Sequence, residues 1–272
     1  MTTTDDAGPT GVVVRPIRFT DDVDAMRDFL VLLGLQPRIA AQGGGWVDLV
    51  AGAGMVALHD AASATSGAAA GETHLSFEAE DLDALAARLT EAGVPDVTII
   101  DEAYGRQLEC TDPRGDTVVV GDVQEDLYGF TRSDEEPDRA WRVMPVVFTS
   151  PTGPYGGFLT ALGLPRDGEP NEHFVVHAGP GESGRVGLHA TDRGEGGDSG
   201  GSGASSAPNA VPAHLSFETD EWLDDVAARL DEAGFAPSIT REDWGAFLRV
   251  TDPDGQVLEV HEPPAHPELP SE

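Results

Sequence analysis

Apolar and polar positions follow two periods along this chain, and the periods switch in a fixed order. Val12-Val13-Val14 leads into Ile17 and Phe19, a strand signal. Thr20, Asp21 and Asp22 then offer an N-cap and an acidic first turn. Val23, Met26, Leu30 and Leu33 follow at helical spacing, and Gly34 supplies a stop. Segments around 46–50 and 55–59 read as strands. The order restarts at His74-Leu75-Ser76-Phe77, a short strand. A helical stripe of Leu82, Leu85, Leu89 and Ala92 comes next, closed by Gly93, and strands near 97–100, 106–111 and 117–120 complete the unit. The pattern predicts two βαβββ modules.

The same pattern is then written again. HLSFEAEDLDALAARLTEAG at 74–93 recurs as HLSFETDEWLDDVAARLDEAG at 214–234. Thr111-Asp112-Pro113-Arg114-Gly115 recurs as Thr251-Asp252-Pro253-Asp254-Gly255, Leu33-Gly34-Leu35 as Leu162-Gly163-Leu164, and Leu58-His59 as Leu188-His189. Upstream, Arg15 to Thr20 aligns with Met144 to Thr149. Matches in register over many elements mean a duplicated unit. Tyr155, Phe158, Leu159 and Leu162 form the first helix face of the second copy; Trp222, Leu223, Val226 and Leu230 are expected to form the second. The fold class is therefore α+β: a tandem duplicated domain, each copy two βαβββ modules, four in all. Residues 1–10 read as a flexible N-terminus, 11–126 as the first domain, 127–140 as an acidic linker, 141–262 as the second domain, and 263–272 as a flexible tail. The Gly/Ser/Asp-rich segment 191–211 reads as a flexible loop.

Composition narrows the function classes. The formal charge is -33 over 272 residues, and every one of the 16 basic residues is an arginine. Such a surface repels nucleic acid and anionic membranes and attracts cations. The stronger reading is that a high-G+C or salt-adapted genome writes such a chain, so the acidity alone names no partner. No apolar run approaches the roughly 20 residues needed to span a membrane. The start lacks a secretory signal and Cys110 is the single cysteine, which together suggest a cytoplasmic protein without disulfides. No Ser-His-Asp arrangement, Gly-rich phosphate loop or paired-cysteine signal is present.

The HLSF strand start, the ARL-EAG helix, the Tyr104-Gly105 and Trp244-Gly245 pairs, and TDPDG followed by Val257-Leu258-Glu259-Val260 resemble the vicinal oxygen chelate superfamily. That group includes glyoxalases, bleomycin-resistance proteins and extradiol dioxygenases. The resemblance implies paired modules curled around a cleft. In metal-dependent members it also implies a ligand on the first strand, a His opening the second module and a Glu on the last strand. Those positions fall on Arg15, His74 and Val119 in copy one, and on Met144, His214 and Glu259 in copy two. Arginine stays protonated and methionine is a soft thioether, so neither suits Mg, Mn or Zn. Copy one should bind no metal. In copy two His214 and Glu259 remain, with His261 on the same strand face as a third donor and His189 and His177 on other strands; a weakly held divalent ion there is the only cofactor to weigh. The alternative is that His74, His214, His59 and His189 pack and donate hydrogen bonds. Tyr104, Trp244, Phe247 and Glu242 are expected to line the ligand cleft, with Trp46 joining them. An aromatic wall beside carboxylates suits a flat or cationic small molecule. Three functions follow: a small-molecule binder without an intact metal triad, a metal-dependent lyase, isomerase or dioxygenase working from the second domain, or a non-catalytic interaction protein. Nucleic-acid and membrane partners are not expected.

Overall fold

The computed structural model describes residues 11–102, 105–124, 127–191, 210–243 and 245–263. The first ten residues, most of the 191–211 loop and most of the tail, all expected to be flexible, lie outside the described residues. So do Tyr104 and Trp244.

Four sheets are built, one per predicted module. In the first, Ile17–Thr20 runs parallel to Met55–Asp60, which pairs in turn with Trp46–Val50 and Gln36–Ala41. In the second, Ser76–Ala79 runs parallel to Thr117–Asp122, followed by Gly105–Thr111 and Thr98–Glu102. The third and fourth repeat this plan. Val146–Phe148, Arg185–His189 and Phe174–Ala178 lie side by side, as do Ser216–Thr219, Val257–His261, Gly245–Thr251 and Ser238–Glu242. The opening apolar run is two strands, because Pro16 interrupts it. Val13–Val14 joins the second sheet and Ile17–Thr20 the first. Phe130–Arg132, within the segment between the copies, adds an edge strand beside Gln36–Ala41.

The helices are α1 (Val23–Leu32), α2 (Leu82–Glu91), α3 (Tyr155–Ala161) and α4 (Leu223–Glu232). Asp22 and Asp81 cap α1 and α2 by accepting from Ala25 N and Ala84 N. The helices bury most of the stripes their spacing predicts; Ala92 falls at the exposed C-cap of α2, and Trp222 departs further. Trp222 is 75 % exposed. It precedes α4 with extended backbone, one position off the Leu223, Val226 and Leu230 stripe, so its indole points away from the core.

The cores do not follow the copies. One cluster joins Leu82, Leu85 and Leu89 of α2 to Tyr155, Phe158 and Leu159 of α3. The other joins Met26, Phe29 and Leu30 of α1 to Leu223, Val226 and Leu230 of α4. Two equivalent arginines tie these pairs. Arg88 Nε donates to Ala161 O at 2.8 Å, and Arg229 Nε to Leu32 O at 2.7 Å. Each covers the open C-terminal carbonyls of the other copy's first helix. Packing the helices pairwise leaves the opposite sheet faces to form the clefts.

Candidate functional site

Alternation decides which side chains face the first cleft. Val47, Leu49, Val56 and Leu58 go to the core. Trp46, Asp48, Val50, Met55, Ala57 and His59 therefore face the other way. At the middle of this face lies a buried quartet of charges. Arg15 Nη1 sits 3.3 Å from Glu78 Oε2 and 3.4 Å from Asp48 Oδ2. Arg38 donates to both Glu78 oxygens, at 3.0 and 2.6 Å, and to Asp48 Oδ2 at 3.2 Å. Asp48 is 1 % exposed at its side chain and Glu78 5 %. Two buried carboxylates against two guanidiniums keep the interior neutral, which burial demands. Satisfaction is incomplete: among the described residues Asp48 Oδ1, Arg15 Nε and Arg38 Nε have no hydrogen-bond partner. Gly121 makes room for the quartet, since a Cβ there would fall 2.5 Å from Arg15 Nη2.

The Trp46 end of the same cleft is aromatic. The His59 ring lies 5.6 Å from Phe19 and 5.5 Å, edge to face, from Trp46. His59 Nδ1 donates to Asp60 O at 2.8 Å; a carbonyl only accepts, so Nδ1 carries a proton. His74 packs on the other side of Phe19 at 4.7 Å, is buried, and meets Glu72 at 3.2 Å. Burial holds its imidazole below the usual histidine range, against the pull of Glu72.

The second cleft keeps the aromatic bracket and changes the charges. His189 sits between Phe148 and Phe174, and its Nδ1 donates to Ala190 O at 2.7 Å. The strand pairing makes Val176 the equivalent of Asp48. Glu218, equivalent to Glu78, is buried, and Arg185 Nε lies 3.3 Å from its Oε2; desolvation pushes its carboxyl up despite that arginine. Glu259 and His261 share a strand face, with His261 Nε2 3.4 Å from Glu259 Oε2. Arg249 Nε donates to Glu259 Oε1 at 2.8 Å and its guanidinium stacks 4.7 Å over Phe247. His261 and then Arg249 hold the Glu259 carboxyl down to about 2. His214 is held below its usual range by burial, opposed by Glu259. His177 faces the core side instead, where its Nδ1 donates to Leu164 O beneath Gly156. Glu242 is exposed at a strand end opposite Gly245.

Residues 13–120 match the family model of the Glyoxalase/Bleomycin resistance protein/Dioxygenase superfamily. The match spans nearly all of the first copy. The chain also resembles solved structures over nearly its whole length. Against the Mn(II)-bound glyoxalase from Novosphingobium aromaticivorans the TM-score is 0.56 at 17% identity, covering 93% of this chain and 82% of that one. Against the 2,3-dioxygenase LapB from Pseudomonas sp. KL28 it is 0.60 at 15% identity, covering 97% and 96%. Against a variant of 4-hydroxymandelate synthase from Streptomyces coelicolor it is 0.60 at 14% identity, covering 95% and 94%. At these identities the likeness is one of fold. No curated protein matches the chain.

A metal, which the glyoxalase-superfamily resemblance implies for some members, does not fit the donors present. Among the described residues no three His, Cys, Asp or Glu side chains converge to hold an ion. In copy one the first-strand position is a cation already paired twice, and Val119 has no donor. In copy two Met144 is buried and Glu259 is engaged by Arg249 and His261. His214 and Glu259, kept together in the sequence, are thus a pair with its carboxylate in use. The quartet was hidden from the sequence in part: Glu78 and Glu218 recur within HLSFE, and Asp48 interrupts the apolar run of Trp46–Val50, but nothing local links them to Arg15 and Arg38.

Proposed function

We propose that this chain binds a small organic molecule in a superfamily cleft without a metal ion at the family's ligand position. One observation carries the reading. The guanidinium of Arg15, between Val13–Val14 and Ile17–Thr20 and paired with Asp48 and Glu78, holds the position at which the family resemblance implies a ligand to a divalent ion. A fixed, neutralised cation leaves the cleft polar at its centre and aromatic at the Trp46 end, a combination suited to orienting an organic ligand. The reading is tested by a thermal-shift screen of small aromatic and charged compounds, run with EDTA and with added Mn(II). Ligand binding to the native state raises the melting temperature. The expected hits shift it equally under both conditions. A shift that needs Mn(II), or Mn(II) retained in stoichiometric amount after dialysis, favours the metal-dependent alternative instead.

A further inference from the structure

At the Val50 end of the first cleft, away from Trp46, lies a cavity of about 250 Å³. Val13, Val50 and Met55 give it an apolar wall, and Arg38 with Glu78 forms its floor. Its mouth is assembled from outside the copy: Glu136 and Arg139 come from the segment between the copies, and Glu182 from a turn of the second copy. The mouth is fixed in place. Gly54 N donates to Glu182 O at 2.8 Å, and the Arg139 backbone lies so close to Gly52 that a Cβ there would fall 2.6 Å away.

The charges select the occupant. Both Arg38 Nη atoms already donate to Glu78 and Asp48. Arg139 is exposed and 3.7 Å from Glu136. The exposed Glu182 carboxylate has no cation paired with it among the described residues, so the lining carries one carboxylate more than it has guanidiniums. That surplus carboxylate favours a cation over an anion at the mouth. The volume lies below the roughly 300 Å³ of the smallest ordinary ligand pockets, room for one ring or a short chain.

Resting on the reading that this cleft binds a small organic molecule, we propose that the cavity takes a small organic cation. Its apolar body lies against Val13, Val50 and Met55, and its protonated amine meets Glu182 at the mouth. The charge of the whole chain, -33, draws such a cation toward it.

The probe is benzylamine, with benzyl alcohol and benzoate as neutral and anionic comparators, titrated into the full chain and followed by ligand-observed NMR. Benzylamine is expected to bind saturably and more tightly than either comparator, and less tightly as salt rises. Its Kd should rise about threefold in Glu182→Gln, the size of an exposed ion pair. Binding should be lost in Val50→Phe, which fills the cavity. Glu182 is exposed, so its variant folds normally and decides the matter even if Val50→Phe does not. Equal binding to wild type and both variants overturns the cavity assignment while leaving the small-molecule reading intact. Preference for benzoate or benzyl alcohol overturns the cationic class. No benzylamine binding overturns this proposal, and the thermal-shift screen then decides separately whether the broader reading falls with it.

Discussion

Arg15 is held by carboxylates from two sheets, and each carboxylate relies on it in turn. Replacing it with leucine would leave Asp48 and Glu78 sharing Arg38 alone in a buried setting. Arg15→Leu is expected to lower unfolding free energy in urea by about 3 kcal/mol, the cost of stranding buried charge. The buried histidines give a signed pH dependence. His74, His177 and His214 are each held below their ordinary value, first by burial. Below about pH 6.5 the unfolded chain takes protons that the folded chain refuses, so their contribution is complete above that value and is lost as pH falls. The surface carboxylates titrate as well, so the comparison must be between variants. From about pH 8 to 5.5 the urea midpoint of wild type should drop relative to that of His177→Gln; parallel curves would refute the assignment. Cys110 is buried, and desolvation, then Asp112, pushes its thiol up to about 12. It should resist iodoacetamide until the protein unfolds.

At the level of elements, close approach matters more than propensity. Gly52→Ala would drive a methyl group into the Arg139 backbone and should cost about 1–3 kcal/mol. Arg88→Met and Arg229→Met each remove a charged donor from a helix C-terminus and should each cost about 1.5–3 kcal/mol by chemical denaturation. The elements themselves were legible. The helical stripes from Met26, Leu85, Phe158 and Leu230 and the strand runs declared themselves by period, and the repeat fixed their number. Trp222 misled because it directly precedes a true stripe. The register also put Glu259 and His261 on one face correctly. What the sequence concealed was long-range: Arg15 meets Glu78 and Asp48 across sheets, a pairing set by the curl of the sheets and carrying no local signal. Tyr104 and Trp244, Phe247's expected companions at the cleft, lie outside the described residues, so their roles rest on mutagenesis.

At the scale of the whole molecule, the two copies share both cores. α1 packs with α4 and α2 with α3, so neither half owns a complete interior. Full-length protein is expected to melt in one transition by calorimetry. Residues 11–126 produced alone should form a dimer by light scattering, α1 of one protomer covering α2 of its partner; a stable monomer of that fragment would contradict the shared cores. The Arg88 and Arg229 ties describe a pair of subunits joined into one polypeptide. In a symmetric dimer every substitution is made twice, so a residue harmful in either cleft is forbidden in both. Fusion removes that constraint. Arg15 could arise opposite Met144, Asp48 opposite Val176 and Val119 opposite Glu259, each tested by selection in one cleft only while the other kept the scaffold standing.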